Sequence, residues 1–169
     1  MKIITKLTTL LAAFAFGFPA NGGELEEGAA APDVTQKSDE GKDVNVKETA
    51  AEGYTLVYFY PKADTPGCTK QACSLRDSFE ELTDKDVTVI GVSADTVDDQ
   101  KAFKEKYELP FILLADKDAT VIDAFGVPKN PRGFSSRQAF LFKDGKLVWR
   151  DLKASTDQQA ADVLTVING

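Results

Sequence analysis

The sequence predicts an α/β domain with a mixed central sheet covered on both faces, and three observations carry that reading. Residues 55–60 (TLVYFY) and 87–92 (VTVIGV) are continuous apolar runs rich in β-branched and aromatic side chains, the pattern of strands buried on both faces. Each is followed by a helical pattern, so strands alternate with helices as in βα units. Near the C-terminus, residues 138–142 and 146–149 flank Lys143-Asp144-Gly145, whose Asp-Gly pair favours a tight hairpin turn and adds antiparallel strands. The remaining elements follow in chain order. After a polar, Glu- and Ala-rich approach over 24–31, residues 31–48 alternate apolar and polar around Asp39-Glu40-Gly41, which predicts an N-terminal hairpin covering a sheet edge. The 55–60 run is expected at the sheet centre, and residues 61–67 form a Pro- and Gly-punctuated loop. From Cys68 the apolar positions Cys68, Ala72, Leu75, Phe79 and Leu82 repeat at spacings of four and three, one stripe of an amphipathic helix. After the second strand, Thr96 with Asp99 three residues later makes a capping-box start for a helix through Phe103 and Tyr107. Residues 111–114 read as a short strand, 118–125 as a short helix, and 163–167 as the end of a last helix. No internal repeat, linker or second domain interrupts residues 24–169.

Length and composition narrow the chemistry. The chain has 169 residues, 43% of them hydrophobic, which suits one globular domain with a real core. It has two cysteines and no histidine. Every mechanism built on an imidazole base, every His metal ligand and both Ser-His-Asp and Cys-His arrangements are thereby excluded. Two cysteines are also too few for an all-cysteine zinc site. A net charge of -7 argues against a nucleic-acid surface, which needs a basic face.

Residues 1–23 (MKIITKLTTLLAAFAFGFPANGG) carry Lys2 and Lys6 as their charged side chains, then an apolar run from Leu10 to Phe18, and read as a secretory signal peptide. The run is too short for a stable membrane anchor. Export to a periplasmic or extracellular space is the expectation; a cytoplasmic or organellar location would follow if the segment is not a signal peptide. Without Lys2 and Lys6 the body carries about -9 by side-chain count.

The stretch YPKADTPGCTKQACSLRD holds both cysteines. It places Cys68 where a loop from a central strand enters a helix, the strand end at which α/β folds put their sites. Unpaired N–H groups and the positive end of the helix dipole favour an anion there, so a thiolate is stabilised and becomes the nucleophile. A small buried Cys packing like Ala is the bland alternative. Cys73 lies five residues on. In an α-helix that spacing separates the Cα atoms by about 8.6 Å, whereas a disulfide needs no more than about 7 Å. A helical segment therefore holds two thiols, and joining them requires the first turns to unwind. A permanent structural disulfide would instead require a segment that is not helical when oxidised.

The P-x-x-x-T-x-x-C pattern of Pro61, Thr65 and Cys68, followed by Cys73, resembles the active-site loop of the peroxiredoxins, and TPGCTKQACSLRD resembles the peroxiredoxin Q or bacterioferritin comigratory protein subgroup. The likeness extends over residues 28–168 and implies a thioredoxin-like fold with an N-terminal extension. It implies that Cys68 attacks a peroxide O–O bond as peroxidatic nucleophile. It also implies an active-site arginine just before the strand that precedes the hairpin, a place held by Arg137 in FSSRQAFLFKDGKL; Arg132 in the preceding loop is the second candidate. Arg137 would stabilise charge on sulfur and on the peroxide oxygens. The Thr65 hydroxyl can accept from a peroxide and donate to the thiolate, and Pro61 would hold the loop backbone while excluding water. Tyr60, Phe125 and Trp149 read as core or pocket wall. The cycle so implied passes through a Cys68 sulfenic acid and a Cys68–Cys73 disulfide with Cys73 as resolving thiol. A thioredoxin-like reductant then recycles it. It needs neither metal nor organic cofactor, and a monomer or weak dimer suffices. Two rivals remain: an exported non-catalytic module with a structural disulfide, and a sensor passing oxidation to a partner.

Overall fold

The computed structural model describes residues 23–169; the expected leader, Gly23 excepted, lies outside them. Five strands form one sheet in the order β5-β4-β3-β6-β7. The strands are β3 (Tyr54–Phe59), β4 (Val87–Ser93), β5 (Ile112–Ala115), β6 (Gln138–Lys143) and β7 (Lys146–Asp151). Strand β3 is central, parallel to β4 and antiparallel to β6, so the sheet is mixed as expected. Its residues Leu56 and Tyr58 face one core cluster and Val57 and Phe59 the other, all with 0% exposure. Burial on both faces explains why this strand is an unbroken apolar run instead of an alternating one.

Helices cover both faces. They are α1 (Val46–Thr49), α2 (Pro66–Asp77), α3 (Phe79–Thr83), α4 (Val97–Tyr107), α5 (Thr120–Ala124) and α6 (Gln159–Asn168). Helix α4 starts with the expected capping box: Thr96 Oγ1 accepts from the Asp99 N–H at 3.2 Å, and Asp99 Oδ2 accepts from the Thr96 N–H at 3.3 Å. The stripe from Cys68 to Leu82, expected as one helix, is two. The first begins at Pro66, two residues before Cys68, and ends at Ser78, whose φ of -99° and ψ of 8° leave the helical region. That bend turns Phe79 onto Phe111, with ring centroids 6.1 Å apart, and keeps Leu82 fully buried. The apolar spacing runs straight through the break, which is why it reads as one helix. Helix α1, a single turn capped by Asn45, was not expected.

The predicted N-terminal hairpin is β1 (Thr35–Lys37) with β2 (Asp43–Asn45). It meets the outer edge of β5, where Ser38 bridges Leu114 and the Asp39 N–H donates to the Leu113 carbonyl at 2.8 Å. Residues just before it meet the opposite edge. Ala30 bridges Lys146, the Gly28 N–H donates to Leu147 O at 2.7 Å, and the Leu147 N–H donates to Ala29 O at 2.9 Å. One short extension therefore touches both outer strands. Among the described residues no helix is long and apolar enough to cross a membrane.

Candidate active site

The antiparallel register of β3 with β6 pairs Phe59 with Gln138, so Tyr60 and Pro61 leave the sheet beside Arg137. The chain then makes a short loop into α2. Thr65 is the N-cap, Pro66 takes the first helical position, where no N–H is needed, and Cys68 falls in the first turn. That turn contains no acidic side chain, so the positive end of the dipole faces the sulfur without a competing carboxylate. Cys68 is 2% exposed, packed with Ala72 and Leu75 against the sheet.

Arg137 Nη2 lies 3.5 Å from Cys68 Sγ, and Nη1 donates to Gln71 Oε1. Gln71 is buried and passes the contact on, its Nε2 donating to Gln159 Oε1 of α6 at 3.0 Å. The guanidinium also fills the space over Gly67, where an added Cβ would sit 3.2 Å from Nη2. Of the two arginine candidates, Arg137 is the one the fold brings to the sulfur. Arg132 stays exposed in its loop, with its backbone N–H donating to Asn130 Oδ1 at 2.9 Å.

The loop is held from several sides. Ser135 Oγ donates to the Tyr60 carbonyl at 3.0 Å, and the Ala63 N–H donates to the buried Asp95 Oδ2 at 2.7 Å. Asp64 adopts a left-handed φ of 56° and accepts from Lys106 Nζ at 2.8 Å and from Tyr107 Oη at 2.7 Å. The Lys106 ammonium, followed by the Tyr107 hydroxyl, holds the Asp64 carboxyl below its ordinary value. Pro61 sits half-buried at the start of this loop. The Thr65 hydroxyl was expected to face the sulfur; here it donates to the Lys62 carbonyl at 2.9 Å and makes no cap bond to the helix. That bond closes the loop locally.

Cys73 is half-buried further along α2, and both cysteines are free thiols. With residues 66–77 helical, this is the two-thiol arrangement that the spacing demands. Tyr60 is buried as pocket wall, its hydroxyl donating to Gln100 Oε1 at 2.5 Å. Phe125 lies in the core of the opposite face and Trp149 packs at the margin of the α2-side core. Sequence reasoning missed Gln71. Its signal was present: it lies three residues after Cys68 and four before Leu75, so it is a polar side chain on a buried stripe that must find partners.

A first-turn cysteine under a guanidinium, at the carboxyl end of a central parallel strand, defines a thiol-chemistry site on a thioredoxin-like fold. The chain belongs to the AhpC/TSA family, whose model matches residues 28–150. Within it the chain is a peroxiredoxin of the peroxiredoxin Q and bacterioferritin comigratory protein subgroup, and thus a thiol peroxidase. It is 41% identical over 138 residues to peroxiredoxin Bcp of Bacillus subtilis, covering 76% of this chain and 87% of that one. Among solved structures it is similar to peroxidoxin BcpB of Mycobacterium tuberculosis, with TM-score 0.80, 29% identity, and 86% and 97% of the two chains covered. A bacterioferritin comigratory protein of Xanthomonas campestris, described for alkyl peroxide reduction, matches with TM-score 0.76 at 28% identity, covering 85% and 96%.

Proposed function

We propose that this peroxidase reduces hydrogen peroxide and organic hydroperoxides by a two-cysteine cycle contained in α2. The observation that carries it is the placing of Arg137 Nη2 3.5 Å from Cys68 Sγ in the first turn of a helix that also bears Cys73. The Cys68 thiolate attacks the distal oxygen of ROOH; the O–O bond breaks, RO⁻ leaves and takes a proton to become ROH, and sulfur is oxidised to the sulfenic acid. Arg137 and the first-turn N–H groups stabilise negative charge on sulfur and then on the oxygens. Thr65 rotates from Lys62 to hold the peroxide, and Pro61 keeps the loop closed over it.

The Cys73 thiolate then attacks Cys68 Sγ, the S–O bond breaks, and the oxygen leaves as water. Since the helix holds the Cα atoms about 8.6 Å apart, this step follows unwinding of the first turns of α2. A thioredoxin-like dithiol reduces the disulfide by exchange. The leader directs the protein to a periplasmic or extracellular space, where it works as a monomer or weak dimer.

Mass spectrometry of the purified protein before and after one equivalent of peroxide tests the reading. The expected product is the intact chain less two hydrogen atoms with no free thiol, and Cys68→Ser must abolish it while Cys73→Ser stops at the sulfenic acid. Wild-type peroxide consumption by Cys68→Ser overturns the assignment of the nucleophile.

A further inference from the structure

Among the described residues, three buried side-chain polar atoms have no hydrogen-bond partner: Tyr58 Oη, Gln138 Oε1 and Gln159 Nε2. Two of them lie on the Cys68 side of the sheet: Gln159 holds Gln71, and Tyr58 packs in the same core cluster as Cys68, Ala72 and Leu75 of α2. Gln138, paired with Phe59, lies on the opposite face. Tyr58 is the most telling. Its ring stacks on Tyr60 with centroids 5.5 Å apart, meets the edge of Phe111 at 6.0 Å, and is wholly buried.

The fold makes room for this hydroxyl without bonding it. Tyr58 pairs with Gly91 of β4, where an added Cβ would fall 2.8 Å from Oη and from Cζ. A glycine inside a buried strand weakens it, and here it clears the space that the phenol occupies. Phenylalanine would satisfy the apolar surroundings without stranding a donor. Burial pushes the Tyr58 phenol well above its ordinary range; Tyr60 and Cys68 add to the rise, Arg137 opposes it, and Cys73 adds a smaller contribution. The hydroxyl is thus a neutral donor within electrostatic reach of both sulfurs.

We infer that Tyr58 sets the speed of the resolving step, because its stranded hydroxyl penalises the helical state of α2 and regains a partner when the first turns unwind. The inference rests on the proposed Cys68–Cys73 disulfide. With residues 66–73 helical, the sulfenic acid and the second thiol are held apart, and the rate of joining is proportional to the unwound population. Opening this segment admits water to the core cluster that α2 covers, and water can accept from Tyr58 Oη. A buried unsatisfied donor shifts such an equilibrium by about fivefold or more. Tyr58 therefore acts through α2 and touches no reacting atom.

Tyr58→Phe separates the two steps. In single-turnover rapid mixing with hydrogen peroxide, the variant is expected to consume peroxide at the wild-type rate. Its disulfide, read by acid quench and mass spectrometry, is expected to form about fivefold or more slowly. A longer-lived sulfenic acid then yields more Cys68 sulfinic acid at high peroxide, and amide exchange in α2 of the reduced protein slows. Tyr60→Phe gives the opposite sign for stability, since it removes a hydroxyl bonded to Gln100. Disulfide formation, sulfinic yield and α2 exchange all at wild-type values in Tyr58→Phe overturn the role of Tyr58. A wild-type protein that forms no disulfide with one equivalent of peroxide overturns the two-cysteine reading beneath it, so the two failures are distinguishable.

Discussion

Replacing Gln71 by Leu keeps nearly the same volume on the buried stripe and removes both of its hydrogen bonds. The Nη1 of Arg137 loses its acceptor, and Gln159 Oε1 loses the donor 3.0 Å away. A hydrogen bond to a charged group contributes about 1.5–3 kcal/mol. If that bond is what holds Nη2 3.5 Å from Cys68 Sγ, the second-order rate constant with peroxide falls about tenfold to a hundredfold. Stability falls separately, by about 1–3 kcal/mol, because Gln159 is left unpaired in the interior. Gln159→Leu splits the two effects: Gln71 still accepts from Arg137 but loses its own partner on α6, so the variant keeps the peroxide rate and loses stability. Competition with a reference peroxidase measures the rate, and urea unfolding of the reduced protein measures the stability. A Gln71→Leu protein that reacts at the wild-type rate would refute the claim that Gln71 positions the arginine.

Other outcomes follow from the same geometry. Gly67→Ala gains up to about 1 kcal/mol of helix stability, yet its Cβ meets Arg137 Nη2 at 3.2 Å; a raised thermal midpoint together with a slower peroxide reaction is expected. Gly91→Ala drives a methyl to 2.8 Å from Tyr58 and from Leu113 Cδ2 and should destabilise by about 1–3 kcal/mol in urea unfolding. The Asp64 carboxyl is held below its ordinary value of 3.8, so its link to Lys106 contributes fully above that pH and is lost as pH falls through the lower folded value. The difference in thermal midpoint between wild type and Asp64→Asn should accordingly shrink on acidification below pH 3.8; a difference that grows would contradict the sign.

Much of the architecture is legible in the sequence. Strands β3 and β4 declare themselves because burial on both faces forbids polar alternation, and the Thr96–Asp99 box and the Asp144-Gly145 turn are local chemistry that tertiary packing does not alter. The break at Ser78 could not be read, because the apolar spacing that marks the helix continues across it and only the position of Phe111 requires the bend. At the site, Cys68 and Cys73 follow from position and spacing. Choosing Arg137 over Arg132 needed the β3–β6 register, a pairing between segments far apart in the chain. That the Thr65 hydroxyl bonds the Lys62 carbonyl is not legible in the sequence, because spacing does not reveal which acceptor wins a local competition.

The N-terminal extension that touches β5 through Ser38 and Asp39 and β7 through Gly28 to Ala31 also has a consequence for assembly of the fold. Unpaired outer strands are templates for aggregation, and here the guard on both flanks is made before either strand that it covers. Of its two docking partners, β5 is made well before β7, the last strand of the sheet. The two flanks therefore become available at different times during synthesis, and the β7 edge is the later one to be covered.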